Sequence, residues 1–244
     1  MNAIIQVLKM DETISRSTIS REIFNLLAEV QGYEGRHIHI EYQTDFKQLL
    51  RTVAGLADKG ELTPIFNVED SDIGPENGFW IQGTDDAGEI VHVQAVRFDD
   101  LSGTTLASHW QAKPKLYCTR GHGIDVLRSD FYSAPASQEI SGAVCYHGEL
   151  WLEQSYRAMR RLTSKLANLA MLLALARFRP DYIYCLMVPK VMRTGLSVRS
   201  GYLHMHPQGI RWHIPRRDRP YDEYLVWLTG EELSQLMDRP PEVC

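Results

Sequence analysis

The segment 142–188 contains three consecutive patterns: GAVCYHGELWL (142–152), a long helical pattern (156–178) and YIYCLMV (182–188). The first and third patterns are rich in β-branched and aromatic residues, which predicts two strands. The helical pattern includes the apolar run LANLAMLLALA (166–176), which predicts a buried helix. Because a right-handed crossover makes two such strands parallel, the segment predicts a β-α-β unit and an α/β fold.

The chain before this unit predicts a strand and then a helical portion. Residues 1–10 alternate in the manner of a strand. A first helix begins at Ser17 or Thr18 and is stopped by Gly32, and a second begins at Thr44 or Asp45 and is stopped by Gly60. The apolar positions of both helices fall at a spacing of 3.6 residues: Ile19, Ile23, Leu26, Leu27 and Val30 in the first, and Phe46, Leu49, Leu50, Val53 and Leu56 in the second.

Further strands are predicted on either side of the β-α-β unit. Residues 78–82 and 89–98 flank the turn TDDAG and predict a β-hairpin. Residues 99–140 mix short apolar pieces with Ser, Gly and Pro, and we interpret them as an insertion. Residues 190–198 predict another helix, and residues 224–228 predict a last strand. We therefore expect one domain over 1–244, with an N-terminal portion (1–77) and a core (142–228).

The net charge is unevenly distributed along the chain. The 26 basic and 31 acidic residues give a net charge of −5, which argues against general nucleic-acid binding. The segment 155–220, however, holds 13 Lys and Arg against two acids, so it carries +11 and the remainder carries −16. The basic segment therefore requires an explanation of its own.

Cysteine usage and hydropathy indicate the compartment. The four cysteines are widely spaced without a CxxC motif, which disfavours a disulfide framework and favours a reducing cytoplasm. The N-terminus lacks the features of a signal peptide. The longest apolar run is about half the roughly 20 residues that a bilayer span needs, so no membrane association is expected.

Basic residues crowd the first turns of the long predicted helix. Arg157, Arg160, Arg161 and Lys165 lie where a helix dipole disfavours cations and favours anions. Helix amides and guanidinium groups together suit a phosphate. We favour an anion site here over the alternative of a solvated basic face.

The order of strand, basic first turn, apolar helix, strand, short helix and Gly201-Tyr202 resembles the GNAT acyltransferase superfamily. The segment 148–157 is similar to the family's central strand end, and the likeness extends over about residues 79–228. The resemblance implies a mixed central sheet with flanking helices and an N-terminal helical portion. It also implies an acyl-coenzyme A co-substrate, held by the strand end Leu150, Trp151 and Leu152 and by the loop Arg157, Ala158, Met159, Arg160, Arg161 and Leu162.

The loop departs from the family pattern Arg/Gln-x-x-Gly-x-Gly/Ala. Ala158 stands near the first glycine position, and Arg160 or Arg161 stands near the second. Glycines let a phosphate approach the backbone closely, so this loop is degenerate. Ser197 stands where the family often has a tyrosine acid. The resemblance therefore supports the fold more firmly than coenzyme A binding.

Acyl transfer to an amine requires a base. Strict alternation along the strand places Cys145, His147, Glu149 and Trp151 on one face. The resemblance implies a carboxylate base near Glu149, and His147 is the second candidate. Gly148 is where a β-bulge, which the family tends to have, would change this alternation.

Two other sequence patterns are of kinds that occur in binding sites. The pairs His37/His39 and His204/His206 have the H-x-H spacing of some metal sites, but neither has a carboxylate in a fixed motif beside it, and we expect no metal. Residues 208–221 combine arginines with aromatic residues, which we interpret as a solvated hairpin loop rather than an RNA-binding segment.

These observations lead to one expected function and two alternatives. We expect transfer of an acyl group from an acyl-coenzyme A thioester to an amine of a small molecule. The first alternative is a non-catalytic GNAT-like domain that binds a ligand or a protein, and the second is a metal-dependent enzyme that uses the H-x-H pairs. A homodimer is left open.

Overall fold

A computed structural model describes residues 15–33, 35–118, 123–159, 161–215 and 217–237. The strand predicted over residues 1–10 lies outside the described residues, and so does Arg160. No helix in the described part of the chain is long and apolar enough to cross a membrane.

Helices and strands alternate along most of the described chain. The strands are β1 (His39–Gln43), β2 (Gly78–Thr84), β3 (Ile90–Leu101), β4 (Asp125–Asp130), β5 (Gly142–Leu152), β6 (Tyr182–Met187), β7 (His204–His213) and β8 (Tyr221–Thr229). The α-helices are α1 (Ser15–Gln31), α2 (Phe46–Ala54), α3 (Leu106–Ala112), α4 (Pro114–Tyr117), α5 (Leu162–Phe178), α6 (Pro189–Met192), α7 (Leu196–Arg199) and α8 (Gly230–Met237). Three 3-10 turns cover Pro64–Phe66, Pro135–Gln138 and Gln154–Tyr156.

The described strands form one mixed sheet in the order β1-β2-β3-β5-β6-β8-β7-β4. Strands β5 and β6 are parallel, and the other neighbouring pairs are antiparallel. Helix α5 connects β5 to β6, so the predicted β-α-β unit is confirmed. The predicted fold class, a mixed sheet with flanking helices, is confirmed as well.

Each face of the sheet packs against its own hydrophobic core. The core on the α5 face includes Ile23 of α1, Leu169 of α5 and Leu233 of α8. The core on the opposite face includes Leu49 of α2 and Trp110 of α3. We call these the α5-side core and the α2-side core. Between them, β5 and β6 lie at the centre of the sheet.

The predicted N-terminal helices are present with changed limits. The Asp45 carboxylate caps α2 by accepting hydrogen bonds from the amides of Lys47 at 2.9 Å and Gln48 at 3.2 Å. The helix ends at Ala54 rather than near Gly60, because Gly55 follows as its C-cap. Helix α1 begins at Ser15, ahead of the predicted caps.

Three other predictions of local structure are corrected. The helix expected from Tyr156 begins at Leu162, after a 3-10 turn and a loop that carries the arginines. The single helix expected over 190–198 is two short helices, α6 and α7. The loop expected over 208–221 is strand β7 as far as His213, because its residues pair with β8.

Candidate functional site

Strands β5 and β6 separate near the middle of the sheet. Their parallel pairing covers 144–146 of β5 and 182–184 of β6, whereas β5 continues to Leu152. A cavity of about 390 Å³ opens where they separate, and we call it the strand cleft. Tyr117 and Tyr146 of the α2-side core line it together with Met187 and Tyr202 of the α5-side core, so the cleft reaches both faces of the sheet.

A β-bulge interrupts β5 beside this cleft. Ala95 of β3 pairs with Gly148, but Val93 pairs with Trp151, so Gln94 lies opposite two residues of β5. Glu149 adopts a φ of 58°, a left-handed conformation that is rare outside glycine. The bulge expected near Gly148 is therefore present.

The bulge overturns the predicted alternation of β5. Cys145 lies in the α5-side core, whereas Trp151 lies in the α2-side core. The prediction that both share a face with His147 and Glu149 is wrong, because the extra residue of the bulge reverses the facing of the strand beyond it. His147 and Glu149 both line the strand cleft, but they have different hydrogen-bond partners.

Glu149 is held by the segment that follows α2. Its carboxylate forms an ion pair with Lys59 and accepts a hydrogen bond from the amide of Thr63 at 2.9 Å. The side chains of Glu149 and Lys59 are 2% and 9% exposed. A buried carboxylate is stable only when it is paired and hydrogen-bonded, and this one is both. Glu149 must exchange Lys59 for another partner before it can accept a proton.

The same segment also contacts the arginine loop. Asp58 accepts a hydrogen bond from the indole of Trp151 at 3.2 Å and one from Arg157 at 2.9 Å. Arg157 also donates to the carbonyl of Leu152 at 2.6 Å. Asp58 therefore joins the end of β5 to the loop before α5.

His147 lies in a chain of buried hydrogen bonds. The amide nitrogen of Gln94 donates to the carbonyl of Leu166 in α5 at 2.7 Å, so its oxygen faces His147 Nε2 at 3.0 Å. The hydroxyl of Tyr202 lies 3.0 Å from His147 Nδ1. Burial lowers the pKa of His147 to about 4, so the ring is neutral near pH 7. Nε2 therefore carries the hydrogen, and Nδ1 accepts one from Tyr202.

A second cavity, of about 720 Å³, lies at the start of α5. We call it the basic cleft. Among the described residues its lining includes four basic residues and no acidic one: Arg157, Arg161, Lys165 and Arg199, together with Leu26, Ala158, Met159, Thr163, Ser164 and Asn168. The crowded arginines of the sequence therefore line a cavity at a helix N-terminus, and the anion site that they predict stays a prediction.

Arg161 forms the N-cap of α5 in a left-handed conformation, with a φ of 67°. No side chain caps this helix end. The side chain of Arg161 has no hydrogen-bond or ion-pair partner among the described residues, whereas that of Lys165 is paired with Glu29. The loop therefore presents an unpaired guanidinium group beside an uncapped helix end, an arrangement that suits an anion.

The two clefts lie side by side. Ala167 lines the strand cleft, and the next residue, Asn168, lines the basic cleft. Likewise, Ser200 lines the strand cleft and the preceding Arg199 lines the basic cleft. Ser200 is 1% exposed, and its hydroxyl has no hydrogen-bond partner within the described ranges. A buried hydroxyl beside a cavity normally finds a partner, and a bound ligand would supply one here.

The predicted cofactor-binding residues divide into two groups. Leu150 and Trp151 line the strand cleft, and Arg157, Ala158, Met159 and Arg161 line the basic cleft. Leu152 and Leu162 line neither cleft, because both side chains are buried in the α5-side core. Sequence reasoning missed Asp58, Lys59, Tyr117 and Tyr202, which reach the site from three separate segments and share no motif.

The histidine pairs do not assemble a metal site within the described residues. His37 and His39 both contact Asp86, at 3.2 and 3.3 Å, and His204 contacts Glu232 at 2.7 Å. No group of three or more His, Cys, Asp or Glu residues that could hold a metal is found in the described ranges.

No protein-family model matches the sequence, and no curated protein matches it. The chain is similar to solved structures at low sequence identity. The crystal structure of Arabidopsis thaliana NAA60 in complex with acetyl-CoA is 11% identical, with a TM-score of 0.47 and coverage of 79% of this chain and 98% of that chain. Spermidine/spermine N-acetyltransferase SpeG from Vibrio cholerae, crystallised with manganese ions, is 7% identical, with a TM-score of 0.46 and coverage of 82% and 96%.

The described fold has the features that the sequence resemblance to the GNAT superfamily implies. The parallel β5–α5–β6 unit, the bulge in β5 and the arginine loop before α5 occur in the order that the sequence resemblance predicted.

Proposed function

We propose that this protein transfers an acyl group from an acyl-coenzyme A thioester to an amine of a small molecule. The observation that carries the proposal is the pair of adjoining clefts, one basic and one between separated strands. A molecule with a phosphate-rich end and a long uncharged arm that ends in an acyl group matches both clefts at once.

The basic cleft suits the phosphate end of coenzyme A. Arg161 and Arg199 supply charge, and the uncapped start of α5 supplies the favourable end of a helix dipole. Arg161 occupies a glycine-like conformation near the family's second glycine position. The degenerate loop thus keeps the backbone conformation that a glycine would provide and adds a positive charge.

The strand cleft suits the arm and the acyl group. Beyond residue 146, β5 has no further pairing with β6 in the described chain, so the edge that faces the cleft offers backbone groups to an extended ligand. Apolar side chains such as Met187 and Val191 cover the other wall. The acyl end would then lie beside the bulge of β5.

Glu149 is our candidate for the base. The ammonium of the acceptor replaces Lys59 beside the carboxylate and gives up a proton to it. The neutral nitrogen then attacks the thioester carbonyl, and the tetrahedral intermediate collapses with cleavage of the C–S bond. The nitrogen loses its second proton as the amide forms, and the thiolate takes up one proton to leave as the free thiol. His147 is the weaker candidate, because its low pKa and its two hydrogen bonds oppose protonation.

The Lys59–Glu149 ion pair also favours one alternative function. If Lys59 never leaves Glu149, the same clefts hold an acyl-coenzyme A without turnover, and the protein is a binding module. The two functions share the binding step and differ only in catalysis.

Calorimetry with acetyl-coenzyme A tests the binding step. Release of the free thiol in the presence of a panel of small amines then tests transfer. Binding with amine-dependent thiol release supports the proposal, and binding without release with any amine supports the binding module. Absence of binding would remove both.

A further inference from the structure

Tyr117 belongs to the strand cleft although it comes from the segment 99–140. It ends helix α4, is 4% exposed and lines the cleft from the α2 side of the sheet. Its ring packs edge-on against Tyr146 of β5, with a centroid distance of 5.8 Å. Tight packing fixes the position of the ring and therefore the place of its hydroxyl.

A chain of buried hydrogen bonds ends at that hydroxyl. The indole of Trp110 donates to the hydroxyl of Tyr184 at 3.4 Å, and Tyr184 donates to the hydroxyl of Tyr117 at 3.2 Å. An indole N–H only donates. In the reverse direction the hydrogen left over would be that of Tyr184, which does not line the cleft, whereas in this direction it is that of Tyr117, and a ligand in the cleft can accept it.

Tyr117 is therefore left with a hydrogen to donate. Its oxygen already accepts from Tyr184, and no acceptor for its own hydrogen is found in the described part of the chain. A buried donor is costly when it stays unpaired. The hydroxyl lines the strand cleft, so an acceptor on a bound ligand would satisfy it.

Tyr202, on the α5 side of the same cleft, offers a hydrogen-bond acceptor instead of a donor. Its single hydrogen is donated to His147, whose other nitrogen is committed to Gln94. The oxygen of Tyr202 can therefore only accept from a ligand. The cleft thus offers a donor on the α2 side and an acceptor on the α5 side.

The basic cleft indicates which part of the ligand meets each tyrosine. It lies at the start of α5, so phosphates held there place the nearer part of the arm on the Tyr202 side. The far end of the arm passes between the strands to the Tyr117 side. We propose, on the basis of the proposed function, that Tyr117 is a substrate-binding residue that donates a hydrogen bond to the acyl carbonyl oxygen of the thioester, and that Tyr202 accepts one from an N–H of the arm.

Coenzyme A and acetyl-coenzyme A separate the two contacts, because only the latter has the acyl carbonyl. In calorimetry, Tyr117→Phe is expected to weaken acetyl-coenzyme A by roughly 3- to 10-fold, as for one lost neutral hydrogen bond, and to leave coenzyme A unchanged. Tyr202→Phe is expected to weaken both ligands alike. The matched control is Tyr132→Phe, which removes an exposed hydroxyl bonded to Gln111 at 2.6 Å and should change neither affinity.

The outcomes keep this inference separate from the proposed function. Suppose that the unaltered protein binds both ligands. If Tyr117→Phe then leaves both affinities unchanged, or weakens both by the same factor, the assignment of Tyr117 is wrong while the proposed function stands. If the unaltered protein binds neither ligand, the proposed function fails first. Thermal unfolding of each variant checks that the ring packing is retained. Should Tyr117→Phe unfold, Tyr184→Phe, which removes the donor to Tyr117 and the acceptor of the Trp110 indole, must then alter acetyl-coenzyme A affinity and leave coenzyme A affinity unchanged.

Discussion

The basic cleft and the strand cleft adjoin each other, but the charges in their linings are arranged differently. The basic cleft gathers cations with no acidic side chain in its lining, whereas the strand cleft pairs its buried charges, as Lys59 and Glu149 show. The first cleft can attract a ligand by charge over a distance. The second can select a ligand only by short-range hydrogen bonds and shape. The contrast teaches that affinity and chemistry can be altered separately in this molecule.

Acidification should lower the stability of the fold through two buried histidines. Burial lowers the pKa of both His147 and His92 to about 4, below the usual 6.5. The unfolded chain therefore binds more protons as the pH falls from 6.5, and stability that is complete above 6.5 is lost towards pH 4, by about 3 kcal/mol for each histidine.

Chemical denaturation at pH 7 and pH 4.5 measures this loss. His147→Gln, which cannot titrate, should lose less stability on acidification than the unaltered protein. Equal losses in the two proteins would show that His147 does not carry the acid sensitivity.

Glu149→Gln should lower turnover by roughly 100-fold or more if Glu149 takes the proton, the usual contribution of a positioned base. Binding of acetyl-coenzyme A should change little, and part of the lost rate should return as the pH rises towards the pKa of the amine. Steady-state kinetics across pH measure both effects. Full turnover with weaker binding of the amine would instead show that Glu149 only holds the ammonium.

Arg161→Ala should weaken acetyl-coenzyme A by roughly 10- to 100-fold at low salt, the value of a hydrogen bond to a charged group. The difference should shrink as salt rises, because exposed charges are screened. Arg128→Ala, on β4 at the far edge of the sheet, is the matched control. Calorimetry in which both variants behave alike would contradict the assignment of the basic cleft.

Asp58→Asn should have the smallest effect. The ion pair between Asp58 and Arg157 is about half exposed on both sides, so its loss should lower the free energy of unfolding by about 1 kcal/mol or less. A larger loss in denaturant unfolding would mean that the contact of Asp58 with Trp151 holds the segment in place.

The β-α-β unit was predictable because each of its elements has a strong local pattern. The apolar run of α5 and the β-branched strand β6 need no distant partner to be recognised. The first helices were predictable for the same reason. The predicted end of the second helix was wrong, because Gly55 caps the helix although the apolar spacing continues beyond it. The basic cleft was anticipated in part, since several of its cations follow one another in sequence.

The strand cleft was much less predictable. The bulge requires a left-handed backbone conformation at Glu149, and the only sequence feature that indicated a bulge was the neighbouring Gly148. Tyr117 lies in the segment read as an insertion, yet it packs in the α2-side core. Its partners Trp110 and Tyr184 are brought to it by tertiary packing, which has no signature in a single sequence.

The left-handed backbone at Arg161 has a consequence for heat resistance. A side chain in this conformation costs about 1 kcal/mol that a glycine would not, equivalent to roughly 2–4 °C in melting temperature for a chain of this size. A glycine at this position would relax the backbone and remove a cation from the basic cleft. Heat resistance and ligand capture at the proposed site therefore favour different residues at position 161.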